Sequence, residues 1–263
     1  MSVTEAGPGS DSPPFTGVGV ALVTLFDAWG ELDAPATADL AARLVELGVG
    51  AVVVAGSTGE AAALSAAERA ELLAAVRAAV TGVPVIAGTG APSARQAGRL
   101  TAAAADGGAD AVLVLSPPGA ADPRPYYDVV AGAARGVPVI AYHFPQLAPP
   151  GIPVKLLDDL PAVACKDSSG DPARFVEALA TYGGHYYPGS SALLLMAGAL
   201  GCPGAIDVLA NYAPERSVAA FAGHAEAQLA LASDFRAVMD DFPGEVKRLT
   251  AERFGTSAVT RLG

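Results

Sequence analysis

Apolar residues in this chain recur in two alternating rhythms. Short apolar runs stand at 17–26 (GVGVALVTLF), 50–56 (GAVVVAG), 83–88 (VPVIAG), 110–115 (DAVLVL), 137–143 (VPVIAYH), 162–166 (AVACK), 185–189 (HYYPG) and 204–207 (GAID). Their length and, in most, their β-branched content predict strands. Between most of them the apolar positions shift to helical spacing. Residues 34–47 carry Leu40, Leu44 and Leu47 on one stripe. Residues 65–80 open with Ser65 followed three positions on by Glu68, the pattern of a capping box. A third helix is predicted over about 93–106, and a fourth after the Pro/Gly/Asp-rich loop 116–125. From Pro214 onward the strand signals stop. Helical text runs through Asp240 and resumes around 245–254, which predicts a C-terminal extension packed beside the main body.

Strands alternating with helices predict a parallel sheet. The runs are continuously apolar, as in strands covered on both faces. Eight of them within one chain of 263 residues suit an α/β fold of the closed (β/α)8 TIM-barrel type. An open doubly wound sheet is the alternative. Against it, the stretch GTGAPS (88–93) starts a GxGxxG fingerprint and does not complete it. The organisation read from the pattern is a disordered tail at 1–15, the barrel at 16–213 and C-terminal helices at 214–263.

Composition narrows the classes of function. Formal net charge is −11, which opposes binding to nucleic acid or to an anionic membrane surface. The two cysteines, Cys165 and Cys202, form no CxxC and read as packing residues. His185 and His224 lack metal-ligand spacing, so neither a metal nor a cofactor is expected. No apolar run is long enough to span a bilayer. The N-terminal stretch MSVTEAGPGSDSPP has no basic region followed by an apolar core, so it does not read as a signal peptide and a cytoplasmic location is expected.

In a barrel of this kind chemistry gathers at the carboxyl ends of the strands. The second strand ends in GSTGE (56–60), the fifth in Tyr142 and HFP, the sixth in Lys166 and the seventh in GSS (189–191). An ordinary lysine has a pKa of ~10.4 and is an ammonium ion near neutrality. Desolvation at an apolar mouth favours the neutral amine, which can attack a ketone and form a Schiff base. The competing reading pairs Lys166 with Asp167 or Asp171. The glycines around Ser57 and Thr58 permit a turn whose N–H groups form an anion nest; a plain strand-to-helix turn with Glu60 as a loop anchor is the alternative. Tyr142 is either a proton carrier beside an imine or a core aromatic. His143, next along the strand, is expected to face the other way or to lie in the loop.

GSTGE, YHFP (142–145) and KDSSGD (166–171), in this order, resemble the dihydrodipicolinate synthase / N-acetylneuraminate lyase family over about residues 17–211 and more weakly beyond. The resemblance implies a (β/α)8 barrel and a Schiff-base aldolase or lyase that makes or breaks a C–C bond between pyruvate, or a related 2-oxo acid, and an aldehyde. It implies that Lys166 forms the imine. Ser57 and Thr58 match the pair that holds the 2-oxo acid's carboxylate, with Thr58 also in the proton relay, and Tyr142 matches the relay tyrosine. Gly189 and Ile206 match positions that line the site. Members are commonly homotetramers. Three departures bear on the second substrate. SPPGAAD (116–122) stands where the synthase branch has a relay tyrosine, and Tyr126 and Tyr127 fall in the following helix. Leu147 stands near the place of an arginine that grips the second substrate's carboxylate. The first strand's TP is Thr24–Leu25. These favour an uncharged, more apolar acceptor. The alternatives are dihydrodipicolinate synthesis proper, a degenerate barrel that binds a 2-oxo acid without turnover, and a phosphate-binding barrel.

Overall fold

The structure, a computed structural model, describes residues 12–262. Eight parallel strands make one sheet: β1 (Gly17–Ala21), β2 (Ala51–Val54), β3 (Val85–Gly88), β4 (Ala111–Leu115), β5 (Val139–His143), β6 (Ala164–Asp167), β7 (His185–Pro188) and β8 (Gly204–Asp207). They pair in the order β7-β6-β5-β4-β3-β2-β1-β8. The two end strands approach each other closely: a Cβ built on Gly204 would stand 3.2 Å from the Tyr187 ring. The sheet is therefore a nearly closed (β/α)8 barrel and not an open doubly wound one.

Helices α1 (Ala34–Glu46), α2 (Ala66–Ala79), α3 (Ala94–Asp106), α4 (Arg124–Ala134), α5 (Pro172–Thr181) and α6 (Leu194–Ala199) connect successive strands. Between β5 and β6 the described residues hold only a 3₁₀ segment, Val154–Asp159. Local chemistry marks several helix starts. Ser65 and Glu68 form the reciprocal capping box at α2. Asp33, Ser93 and Asp171 cap α1, α3 and α5, and each such cap contributes ~1 kcal/mol.

Alternation along each strand divides the core in two. Val20, Val52, Val54, Val112, Val114 and Cys165 face the helices. Ala51, Val53, Ile86, Leu113, Ile140, Ala164 and Ile206 fill the barrel interior. Burying a Val or Ile side chain contributes ~1.5–3 kcal/mol, so both layers matter to stability. The floor is closed by Phe15, whose ring stacks on Tyr187 at 4.5 Å while Tyr187 Oη donates to the Phe15 carbonyl. Residues 1–11 of the expected tail lie outside the described residues, but Phe15, at its other end, is buried.

One expectation needs correction, and a second gains detail. The first apolar run predicts a strand over 17–26, yet β1 ends at Ala21. Residues 22–26 remain buried, but after the Leu22 N–H bond to the Val53 carbonyl the chain leaves the ladder; Val23 N–H donates to Asn211 Oδ1 and Leu25 N–H to Thr37 Oγ1. The C-terminal helices α7 (Pro214–Phe221), α8 (Ala225–Ala230), α9 (Ala232–Asp240) and α10 (Gly244–Phe254) do more than flank the barrel, because the α9 region reaches over its mouth.

Candidate active site

Lys166 occupies the third position of β6, between Cys165 and Asp167. The period-2 alternation of a strand sends those neighbours outward and Lys166 inward. The outward side is tightly bound. Asp167 accepts from Arg174 Nε at 2.6 Å, Tyr186 Oη at 2.5 Å and the Ser169 N–H at 2.8 Å. Burial pushes the Asp167 carboxyl up, and His143, Ser169, Tyr186 and Arg174 more than reverse it, so it lies below the ordinary carboxylate range. Asp171 accepts from the first N–H groups of α5. Both acids are thus engaged elsewhere, and neither is the ion-pair partner of Lys166. Among the described residues the Lys166 ammonium has no carboxylate partner; it rests 4.4 Å from the centroid of the Tyr142 ring and is 4 % exposed.

The stem of Lys166 requires a glycine opposite. A Cβ at Gly189 would stand 2.8 Å from Lys166 Cε and 2.1 Å from Ser168 Oγ. Tyr142 pairs with Lys166 in the β5–β6 register, which sets the phenol beside the amine. Its hydroxyl accepts from Ser168 Oγ at 3.3 Å, and its ring stacks on Phe144. Lys166, Tyr142, Thr58, Gly189 and Ile206 line one cavity of about 310 Å³. The N–H groups of Ser57, Thr58 and Gly59 make no hydrogen bond among the described residues, so the turn after β2 presents donors for an anion. Gly59 is needed there: its carbonyl accepts from Thr24 Oγ1 at 2.7 Å, and a Cβ would sit 2.9 Å from the Leu22 carbonyl oxygen.

Ser57 does not join this cavity. It lines an adjoining one, of about 620 Å³, together with Leu147, Arg69 and Ser116, and Phe242 borders both. The bend closes between the Glu60 N–H and the Ser57 carbonyl. Leu147 is exposed and belongs to the neighbouring cavity as well. Tyr126 and Tyr127 lie in α4 and their hydroxyls meet backbone only: Tyr127 Oη donates to the Val114 carbonyl and accepts from the Tyr142 N–H, and Tyr126 Oη donates to the Ala91 carbonyl. His143 faces outward, as expected; its Nδ1 accepts from the Ile152 N–H, and burial lowers its pKa to about 4. Among the described residues no group of three His, Cys, Asp or Glu side chains could hold a metal ion.

Several lining residues escape the sequence reading. Phe235, Met239 and Phe242, from α9 and the turn after it, cover the mouth opposite Lys166. Ser190 Oγ is buried against the same cavity with no hydrogen-bond partner. Lys166 is the one cationic side chain among the described residues that line it. Phe235 and Met239 stand four positions apart in α9, a helical spacing that does not say what their shared face covers.

The profile of the Dihydrodipicolinate synthetase family matches residues 14–253. A 4-hydroxy-tetrahydrodipicolinate synthase of Corynebacterium aurimucosum is 35% identical over 234 residues, covering 85% of this chain and 76% of the relative. The enzyme of the same name from Pseudomonas aeruginosa is 36% identical over 206 residues, 74% of this chain and 70% of the relative. Among solved structures, a dihydrodipicolinate synthase from Aquifex aeolicus superposes with a TM-score of 0.84 at 29% identity, over 94% of this chain and 91% of the other. YagE, a prophage protein of this family from E. coli K12 in complex with pyruvate, gives a TM-score of 0.85 at 27% identity, over 93% and 91%. Profile, relatives and barrel agree, and the chain belongs to the dihydrodipicolinate synthetase family.

Proposed function

We propose that the protein is a Schiff-base aldolase or lyase that joins pyruvate, or a related 2-oxo acid, to an aldehyde or cleaves the corresponding adduct. One observation carries the reading: a lysine amine without a carboxylate partner shares a cavity with a phenol, a threonine hydroxyl and an adjacent anion nest. The nest receives the 2-oxo acid's carboxylate. Lys166 Nζ adds to the C2 carbonyl, and loss of water leaves a protonated imine. That imine draws electrons from C3, whose proton departs to give an enamine. The enamine carbon attacks the aldehyde carbon, the new alkoxide takes a proton, and water releases the product from Lys166. Tyr142 and Thr58 move these protons; a relay of this type contributes ~10²–10⁴-fold.

The lining on the acceptor side favours an uncharged, mainly apolar aldehyde. Phe144, Phe235, Met239 and Phe242 supply its walls, and the buried Ser190 hydroxyl offers one polar contact. Dihydrodipicolinate synthesis proper is the second reading, favoured by the names of the relatives. It needs an acceptor carboxylate held by neutral donors such as Ser168, Ser190 and Gln146.

Among the described residues no helix is long and apolar enough to cross a membrane. A cytoplasmic location is supported by the two buried free thiols, which suit a reducing compartment. A homo-oligomer, dimer or tetramer, would cover exposed apolar side chains such as Val129 and Leu200.

The first experiment needs no acceptor. Imine–enamine exchange replaces the methyl protons of pyruvate with deuterium in D2O, which NMR follows directly. Borohydride should fix a pyruvate adduct on Lys166. Absence of both exchange and adduct with a set of 2-oxo acids would leave a binding protein without turnover. A panel of apolar, aromatic and carboxylated aldehydes, read as pyruvate consumption, then separates the two acceptor readings.

A further inference from the structure

The turn that carries Thr58 ends on a residue whose bonding reaches the far end of the chain. Glu60 adopts a left-handed backbone at φ +53° and is fully buried. One carboxylate oxygen forms an ion pair with Lys247 of α10, which is equally buried. The other accepts from the backbone N–H groups of Arg261 and Leu262, both at 2.7 Å. Lys247 Nζ also donates to the Val259 carbonyl at 2.7 Å. The Arg261 side chain donates to the carbonyls of Gly30 at 2.6 Å and Ala63 at 3.1 Å, and pairs with Glu68 of α2. The Phe26 ring meets both cations, with its centroid 4.2 Å from Lys247 Nζ and 4.4 Å from the Arg261 guanidinium. The segment 259–262 therefore binds the turn on one side, while Thr24 Oγ1 holds the Gly59 carbonyl on the other.

This is more than a loop anchor of local reach. A left-handed non-glycine backbone is strained and persists where its surroundings over-determine it. Three donors from two segments do so here, and the residue two positions earlier is Thr58.

We propose that Glu60 is a positioning residue: clamped by Lys247 and the backbone of residues 261–262, it holds the Thr58 hydroxyl and the anion nest in register with Lys166. The inference rests on the reading of Thr58 as a proton relay. It assigns the C-terminal segment a part in turnover although its side chains do not line the Lys166 cavity.

A double-mutant cycle on pyruvate deuterium exchange tests it. Displacing a reacting group by ~1 Å can cost ~10²-fold, so Glu60→Gln should lower the exchange kcat about tenfold, with the Lys166 adduct still formed. Thr58→Ala should lower kcat further. The combined variant should lose clearly less than the product of the two single losses, because a Thr58 hydroxyl that is absent has no position to lose and only the anion nest remains to be displaced. Wild-type kcat in Glu60→Gln, or losses that simply multiply, would overturn the proposal. Arg261→Ala keeps the backbone donors, removes the outer part of the clamp, and serves if Glu60→Gln does not fold. Amide hydrogen exchange gives a readout independent of turnover. Arg261→Ala should speed exchange at the bonded amides of Glu60, Ala61, Ala63 and Leu64 and leave 164–167 unchanged, and unchanged protection at those four overturns the clamp. A wild-type protein without any pyruvate adduct would instead sink the proposed function, and the amide data would still judge the clamp.

Discussion

Lys166 and Lys247 are both withdrawn from solvent, and both lay their ammonium on an aromatic ring, at 4.4 Å and 4.2 Å from its centroid. Their surroundings differ in one respect. Lys247 has Glu60 and the Val259 carbonyl and touches no open space. Lys166 has neither partner and faces a cavity. Burial pulls the Lys247 pKa down, and Glu60 pulls against it. Desolvation alone therefore does not make an amine a nucleophile. What distinguishes Lys166, the proposed nucleophile, is the absence of a competing acceptor, together with room for a carbonyl carbon. The sequence neighbours of Lys166 achieve this indirectly: Asp167 is occupied by Arg174 and Tyr186, and Asp171 by the start of α5.

The contrast can be broken most directly at Lys166. Lys166→Ala should abolish the borohydride-trapped adduct and lower pyruvate deuterium exchange by ~10³-fold or more, since covalent catalysis has no substitute there. Lys247→Met should do the reverse. It should keep the adduct and lose stability, by about 3–5 kcal/mol, because it strands a buried carboxylate. Denaturant unfolding measures this, and pairing the substitution with Glu60→Gln should recover much of the loss. An adduct lost in Lys247→Met while the fold survives would mean the two lysines are not separable in this way.

A smaller effect sharpens the picture of the outward side of β5 and β6. His143 titrates near 6.5 when unfolded and at about 4 when folded, because burial disfavours its cation, with Asp167 opposing and Arg174 assisting. The unfolded chain thus binds the extra proton between these values. The stability associated with neutral His143 is complete above pH ~6.5 and is lost as pH falls towards ~4, on the order of 3 kcal/mol in all. Asp167, lowered below its ordinary value, adds a loss of the same sign at still lower pH. Unfolding free energies between pH 7 and pH 4 should flatten over this range in His143→Gln.

Much of this was legible in the order of residues, and the failures have a common cause. The strand runs, the capping box at Ser65 and the polar ends of β5 and β6 follow from local periodicity and local chemistry. Lys166 is recognisable because a cation ends an apolar run. The sequence pattern reports burial, however, and burial is not pairing: residues 22–26 are as apolar as a strand and yet β1 ends at Ala21. Ser57 and Thr58 look equivalent in GSTGE, but one bend divides them between two cavities. The covering of the mouth by Phe235, Met239 and Phe242 depends on where a helix docks, which its own spacing does not encode. The partnership of Glu60 with Lys247 spans most of the chain, beyond any local window.

That last separation has a consequence for biosynthesis. The Glu60 carboxylate and the Arg261 N–H that binds it are 201 positions apart. At ~5–20 residues per second, a ribosome delivers the second roughly 10–40 s after the first. During that interval the nascent barrel carries an unmatched acid two residues from Thr58.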